Sequence, residues 1–241
     1  MATADEMKNS VIIEALSSAL ISATNIEETK ILLNAGAKLN ANSPSRWTAL
    51  MFASTPEQTE LIIKVAGVHA KAYVNIANND GWTALMNSKS PEQTTLLINA
   101  GANVNAKNSE WITSLMRSMN PEQTEILINA GADVNAKSKN GKTALMRAIS
   151  AEQTRLLLAA GADVHAKDMN GTTALMYAKI PEQTKLLLEA GAKINLLNID
   201  GETALSLSTI PEQQKILIDA GAIQMSYINC LKLLWINYWD K

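Results

Sequence analysis

The chain has 241 residues, 47% of them hydrophobic and 4% aromatic, with a net charge of −2. It can therefore bury a core, that core must be mostly aliphatic, and the total charge does not call for nucleic acid. A single cysteine, Cys230, excludes an internal disulfide framework, two histidines (His69 and His165) cannot make a Cys/His zinc site, and no uninterrupted apolar run is long enough for a transmembrane helix.

Residues 1–17 precede any repeat, and within them Ser10–Ser17 reads as a helix covering an open end. Val11–Ala23 looks like a signal-peptide core only until Glu14 and the missing basic segment before it are weighed; it aligns better as the first helix of a repeat. Ser18-Ala-Leu-Ile, Glu27-Glu28-Thr29 and Ala35-Gly36-Ala37 make a degenerate first copy, thirty residues ahead of Thr48. The next step, to Thr83, is thirty-five residues, with the five extra ones lying within 65–73; Thr83, Thr113, Thr143, Thr173 and Thr203 then recur every thirty. The insertion reads as a lengthened helix or as a bulged loop on one edge. Insertions in repeat arrays often serve binding, but a tolerated surface insertion is the plainer reading.

The unit is clearest from Thr143 to Thr172. Thr143 can cap a short helix A over Ala144, Leu145, Met146 and Ala148, whose spacing gives one apolar face. Ser150 starts helix B, with Gln153 as its capping-box partner, and Leu156, Leu157 and Leu158 supply the apolar face. Other copies open helix B with proline (Pro56, Pro91, Pro121, Pro181, Pro211), where the missing amide has no partner to lose and the ring keeps the preceding residue out of the helix. Ala160-Gly161 ends helix B, and Val164–Lys167 runs extended to the turn dipeptide Asn170-Gly171. Helices of about eight to ten residues, roughly 12–15 Å long, are too short to stand alone in water, so the units must stack.

These residues resemble the ankyrin repeat. T-A-L-M stands where that family has T-P-L-H, L-L-L-A-A-G-A-D-V matches its second helix and exit, and N-G-T matches its turn, the likeness running over residues 18–222. The resemblance implies an all-α, ankyrin-type helical solenoid of about seven helix-turn-helix repeats with short β-turn tips, starting near 18, 48, 83, 113, 143, 173 and 203. Two departures stand out. The family period is about 33, so three residues are missing between the helices. Methionine at Met51, Met86, Met116, Met146 and Met176 replaces the family's histidine, which leaves the start of helix A to be held by packing. Residues 223–241 break the pattern and read as an apolar C-terminal cap, with a surface for a partner or for self-association as the alternative.

The variable positions locate a candidate site. The exposed side of helix A carries Phe52, Asn87, Arg117, Arg147, Tyr177 and Leu207, and the residues just before each threonine are Trp47, Trp82, Ile112, Lys142, Thr172 and Glu202. Trp111 takes a turn-glycine position, giving up favoured geometry. Trp47, Phe52, Trp82, Trp111 and Ile112 are expected to form an apolar contact patch on a concave wall, unless the rings simply stack on neighbouring turns. Around the threonines, ten basic residues meet five acidic ones, against eleven and eighteen elsewhere. Lys139, Lys142, Arg147, Arg117 and their neighbours therefore favour an acidic peptide or protein surface. The glutamates opening helix B suit the helix dipole and need no further role.

The expected function is a non-enzymatic scaffold binding another protein in the cytoplasm. A secreted effector or inhibitor, or a polyanion binder acting through the basic patch, is the alternative. No Ser/His/Asp set, phosphate-cradling glycine loop or metal cluster is present in the repeats, so no catalytic residue, metal or cofactor is expected. His165 sits where Asn105 and Asn135 sit in other copies and reads as a capping or turn residue.

Overall fold

A computed structural model describes residues 4–39 and 45–224, so the expected cap over 225–241 lies outside the described residues. The chain divides into two compact units, residues 1–133 and 134–241. In both, regular structure is helical, with one isolated bridge between Lys167 and Thr173. The fold class is the all-α solenoid of helix pairs and turn tips.

In the first unit, α1 (Ala4–Ser22) runs unbroken through both the expected covering helix and the first helix of the first repeat. It is followed by α2 (Ile26–Asn34), α3 (Ala49–Phe52), α4 (Pro56–Ala66), a 3-10 turn at Gly67–His69 and α5 (Ala70–Val74). Two 3-10 turns, Leu85–Asn87 and Leu115–Arg117, alternate with α6 (Pro91–Asn99) and α7 (Pro121–Asn129). Helix B elements pack in sequence, α2 on α4, α4 on α6 and α6 on α7. The second unit repeats the scheme with α8 (Ala144–Arg147), α9 (Ala151–Ala159), α10 (Ala174–Tyr177), α11 (Pro181–Glu189), α12 (Ala204–Leu207) and α13 (Pro211–Asp219), where α9 packs on α11 and α11 on α13.

Helix A is much shorter than the length expected from the sequence. After α1 it is a single turn of three or four residues, because Ala53, Ser88, Ser118, Ala148 and Ala178 take extended ψ values near 125–135° and end it. The three residues missing between the helices are the turn it lacks. Its start is capped weakly rather than by packing alone: the hydroxyls of Thr83, Thr113 and Thr143 accept the amide three residues on at 3.4–3.5 Å, and Thr203 forms a full capping box with Ser206. The Thr173 hydroxyl is buried without a partner.

The glutamine that recurs from repeat to repeat is not simply the capping-box partner that local spacing suggests. Gln93 is buried, and its Oε1 accepts the Lys89 amide at 2.9 Å, one residue before the N-cap. Its Nε2 reaches the preceding repeat, donating to the Ala53 carbonyl and Thr59 Oγ1, both at 3.0 Å. Gln58, Gln123, Gln183 and Gln213 make the corresponding bonds to Thr29, Thr94, Thr154 and Thr184. The residues at the ladder's ends fit this chemistry. Glu28 holds this position in the first repeat and accepts the Thr24 amide at 2.8 Å, acting as an acceptor only. In the last repeat Gln214 replaces the threonine and donates to the Ser208 carbonyl at 2.7 Å, the group that a following glutamine would otherwise satisfy.

A second ladder joins the exits of helix B. Asn75, Asn105, Asn135 and Asn195 each donate to a glycine carbonyl of the next repeat and accept an amide two residues beyond it. The tips are linked by backbone bonds, such as Ser109 N–H to Asp80 O at 2.7 Å and Ile199 N–H to Asn170 O at 2.9 Å. Gly81 cannot carry a side chain there, since a Cβ would lie 2.8 Å from the Asn108 backbone. This close stacking of tips aligns the residues beside them from one repeat to the next.

Candidate functional site

Each repeat carries two variable positions on this side: the residue before the threonine, at the tip, and the residue four beyond it, at the end of helix A. Within one repeat, the Trp47 and Phe52 rings lie with centroids 5.0 Å apart at 40°. Between adjacent repeats, two pairs of these positions thirty-five residues apart meet. Thus the Arg117 guanidinium sits 5.0 Å above the Trp82 ring. In the second unit the same register carries the opposite polarity, with Lys142 Nζ 4.6 Å from the centre of the Tyr177 ring.

In the first unit these residues border an open groove of about 640 Å³. Buried Met51 and Met86 line it together with Trp47, Phe52, Asn87 and Arg117, while exposed Lys89 and Met119 stand at its edge. Phe52 remains 44% exposed despite its contact with Trp47. The groove is thus largely apolar, with two cations, Arg117 and Lys89, in its lining. The structure brings Trp47, Phe52, Trp82 and Arg117 together, and leaves Trp111 and Ile112 apart at the next tip. Trp111 is 53% exposed at φ +58°, a left-handed geometry that Arg46 shares at φ +59°. Ile112 is half-buried, its amide donating to Asn108 Oδ1 at 2.9 Å.

In the second unit Tyr177 is fixed at both ends. Its hydroxyl donates to Asp168 Oδ2 at 2.7 Å, and Asp168, itself buried, accepts the Asn170 and Thr172 amides through Oδ1. Lys142 covers the ring face. Arg147 extends from the end of α8 into solvent, and Lys139 is exposed on the tip before Lys142. Lys142 and Tyr177 therefore form a fixed pair, and among the described residues Arg147 makes no hydrogen bond or ring contact with either.

Lys89, Met119 and Asp168 were not singled out in the sequence reading. Asp168 carried a usable signal, since it is the acidic member of a series otherwise filled by Asn78, Asn108, Ser138 and Asn198. The fixed separation of thirty-five was also present in the sequence, but nothing there says which tip a given helix A residue overhangs.

Residues 88–168 and 112–198 match the family described as ankyrin repeats in three copies. Among solved structures, the chain is similar to the ankyrin repeat domain of Bcl-3, described as a unique member of the IkappaB protein family. The identity is 26% and the TM-score 0.58, with 84% of this chain and 97% of that one covered. No curated protein matches the sequence. Among the described residues, no helix is long and apolar enough to cross a membrane.

Proposed function

The chain belongs to the ankyrin-repeat proteins, whose repeats are protein-interaction modules, and from that premise we propose that it is a non-enzymatic scaffold gripping an acidic segment of a protein partner. The observation that carries this reading is the groove beside Trp47, Phe52 and Arg117 in the first unit. An apolar side chain of the partner would displace water from the methionine floor, and large aromatics at such a rim are common interface anchors. Stacking on Trp82 restrains the Arg117 side chain while leaving its N–H edges available. A carboxylate can then engage two of them at once, with less rotamer entropy to lose than a free arginine would have. Lys89, which also lines the groove, adds charge.

Trp111, Ile112, Lys139, Lys142, Arg147 and Tyr177 extend the proposed contact surface along the tips and helix A ends of their own repeats. A polyanion reading fares less well, since Lys142 lies on an aromatic ring and a buried carboxylate holds that ring's hydroxyl. The single cysteine fits a reducing compartment, so the cytoplasm is the proposed location, and a secreted effector would use the same surface.

The test is capture from source-cell lysate with the full chain as bait, compared quantitatively with Phe52→Ala and Arg117→Glu baits. The bound protein should fall at least tenfold for each, with thermal unfolding within about 2 °C of the parent, a shift worth under about 1 kcal/mol for a chain of this size. Retention of the same proteins at parental levels would remove the groove from the account. Capture that collapses with added salt and is restored by nucleic acid would favour the polyanion reading.

A further inference from the structure

The insertion between Thr48 and Thr83 is an ordered element, neither a simple extension nor a loop. It carries α4 on to Ala66, after which Gly67, at φ +55°, turns the chain into the Gly67–His69 turn and α5. Tyr73 and Val74 of α5 are buried, and the Tyr73 hydroxyl donates to the Leu39 carbonyl at 3.2 Å. Between this element and the exit of α2 lies a second open groove of about 560 Å³, walled by Leu39, Val65, Ala66, Ala72, Tyr73 and Ile76. In the regular repeats, by contrast, helix B stops at Asn99 or Asn129 and the chain passes straight to the next turn. The wall formed by Val65, Ala66 and Ala72 is therefore supplied by the insertion and its flanks.

We propose that the inserted element is a second docking site, taking one apolar side chain from an acidic segment of a protein partner. Three observations support it. Val65, on the groove wall, is 50% exposed, and Val68, between it and His69 on the inserted element, is 95% exposed, so the element presents apolar surface that a small molecule lying inside would leave wet and a polypeptide laid across would cover. Lys38 and His69 line the same groove and Lys64 and Lys71 flank it, while no acidic residue occurs between Glu60 and Asp80. Among the described residues none of Lys38, Lys64 and Lys71 has an ion-pair partner, so the field of the three lysines is available to an incoming carboxylate. The site is separate from the groove at Trp47 and does not depend on it.

The experiment is an NMR titration of the full chain with an acetylated nine-residue peptide of aspartate and glutamate carrying one central leucine. The same peptide with alanine at the centre, and octanoate at matched concentration, serve as comparisons. The leucine peptide should shift the methyl signals of Val65 and Val68 and the amides of α5. Its affinity should fall at least fivefold in Val68→Glu, whose site is too exposed to affect folding, and in Ala72→Trp, which fills the groove. It should persist in Arg117→Glu, which disables the first groove alone. If Ala72→Trp fails to fold, Val68→Glu decides the matter. The proposal is overturned if Val65 and Val68 do not shift, if the alanine peptide binds equally, if Val68→Glu binds as the parent does, or if octanoate alone reproduces the shifts.

Discussion

Replacing Gln93 by methionine tests whether repeats are held together by the amide ladder or by apolar contact alone. The side chain is 2% exposed and methionine nearly conserves its volume, so the cavity contribution is small. Its loss strands two groups. The Ala53 carbonyl loses its donor at 3.0 Å and the Lys89 amide its acceptor at 2.9 Å. Thr59 Oγ1 keeps its bond to the Thr55 carbonyl at 3.0 Å and is not stranded. Leaving a buried group unpaired costs about 1–3 kcal/mol, so the two together should cost roughly 2–6 kcal/mol. Urea unfolding followed by far-UV circular dichroism and tryptophan fluorescence would read the change. Gln93→Glu sharpens the test, because it keeps an acceptor for Lys89 but turns an oxygen toward the Ala53 carbonyl. Burial should raise that carboxyl's folded pKa above its unfolded value. The protonated acid can donate, so the deficit should be full at neutral pH and shrink as pH falls through the folded pKa. The control is Glu28→Gln, where only an acceptor is used, at 2.8 Å on an exposed residue; it should change stability by less than about 0.5 kcal/mol. A Gln93→Met cost below about 1 kcal/mol, with no acid relief in Gln93→Glu, would show that packing carries the interface and the ladder is incidental.

Three further outcomes follow from single residues. Trp111→Gly should stabilise the fold by about 1 kcal/mol, because a left-handed φ of +58° strains any residue with a Cβ, and should weaken partner binding in the same protein; thermal unfolding and capture measure the two separately. His165→Asn should restore the bridge that Asn135 and Asn195 make at their own exits, raising stability by about 0.5–1.5 kcal/mol, readable as a higher melting temperature. Burial, opposed by hydrogen bonds from Thr48 and Leu50, pushes the Tyr73 phenol from 10.0 up to about 12. Its contribution is fully present below pH 10, the unfolded value, and is lost as pH rises toward 12, a decline of roughly 2–3 kcal/mol that Tyr73→Phe should remove from the pH–stability profile.

The repeat phase, helix B, its proline or serine start and the glycine exit were legible because each rests on bonds within a few residues. The short helix A was less so: Ala144, Leu145, Met146 and Ala148 suit a longer helix by pattern, and the turn is lost to three absent residues rather than to any residue present. The ladders were hidden for a different reason. Gln153 stands three residues after Ser150, as a capping-box residue would, and the amide of Gln153 does donate to Ser150 Oγ at 3.1 Å. The local reading is therefore half right, and it hides the kind of cross-repeat bond that Gln123 and Gln183 make. In a periodic chain every copy offers the same ambiguity. Only the exceptions at Glu28 and Gln214 break it, since an acceptor without a donor at one end and a self-satisfying amide at the other make sense only for a bond that crosses repeats. The same logic applies to the site. Trp82 with Arg117, and Lys142 with Tyr177, stand thirty-five residues apart in one register. Each is an aromatic met by a cation, and swapping which position holds which preserves the contact while changing what is offered outward. In the first pair a charged guanidinium lies above the ring; in the second a phenol is locked down beneath a lysine. In these two pairs the tip and helix A positions act as coupled partners, so this part of the proposed recognition surface is better read two residues at a time than from tryptophans and lysines counted singly.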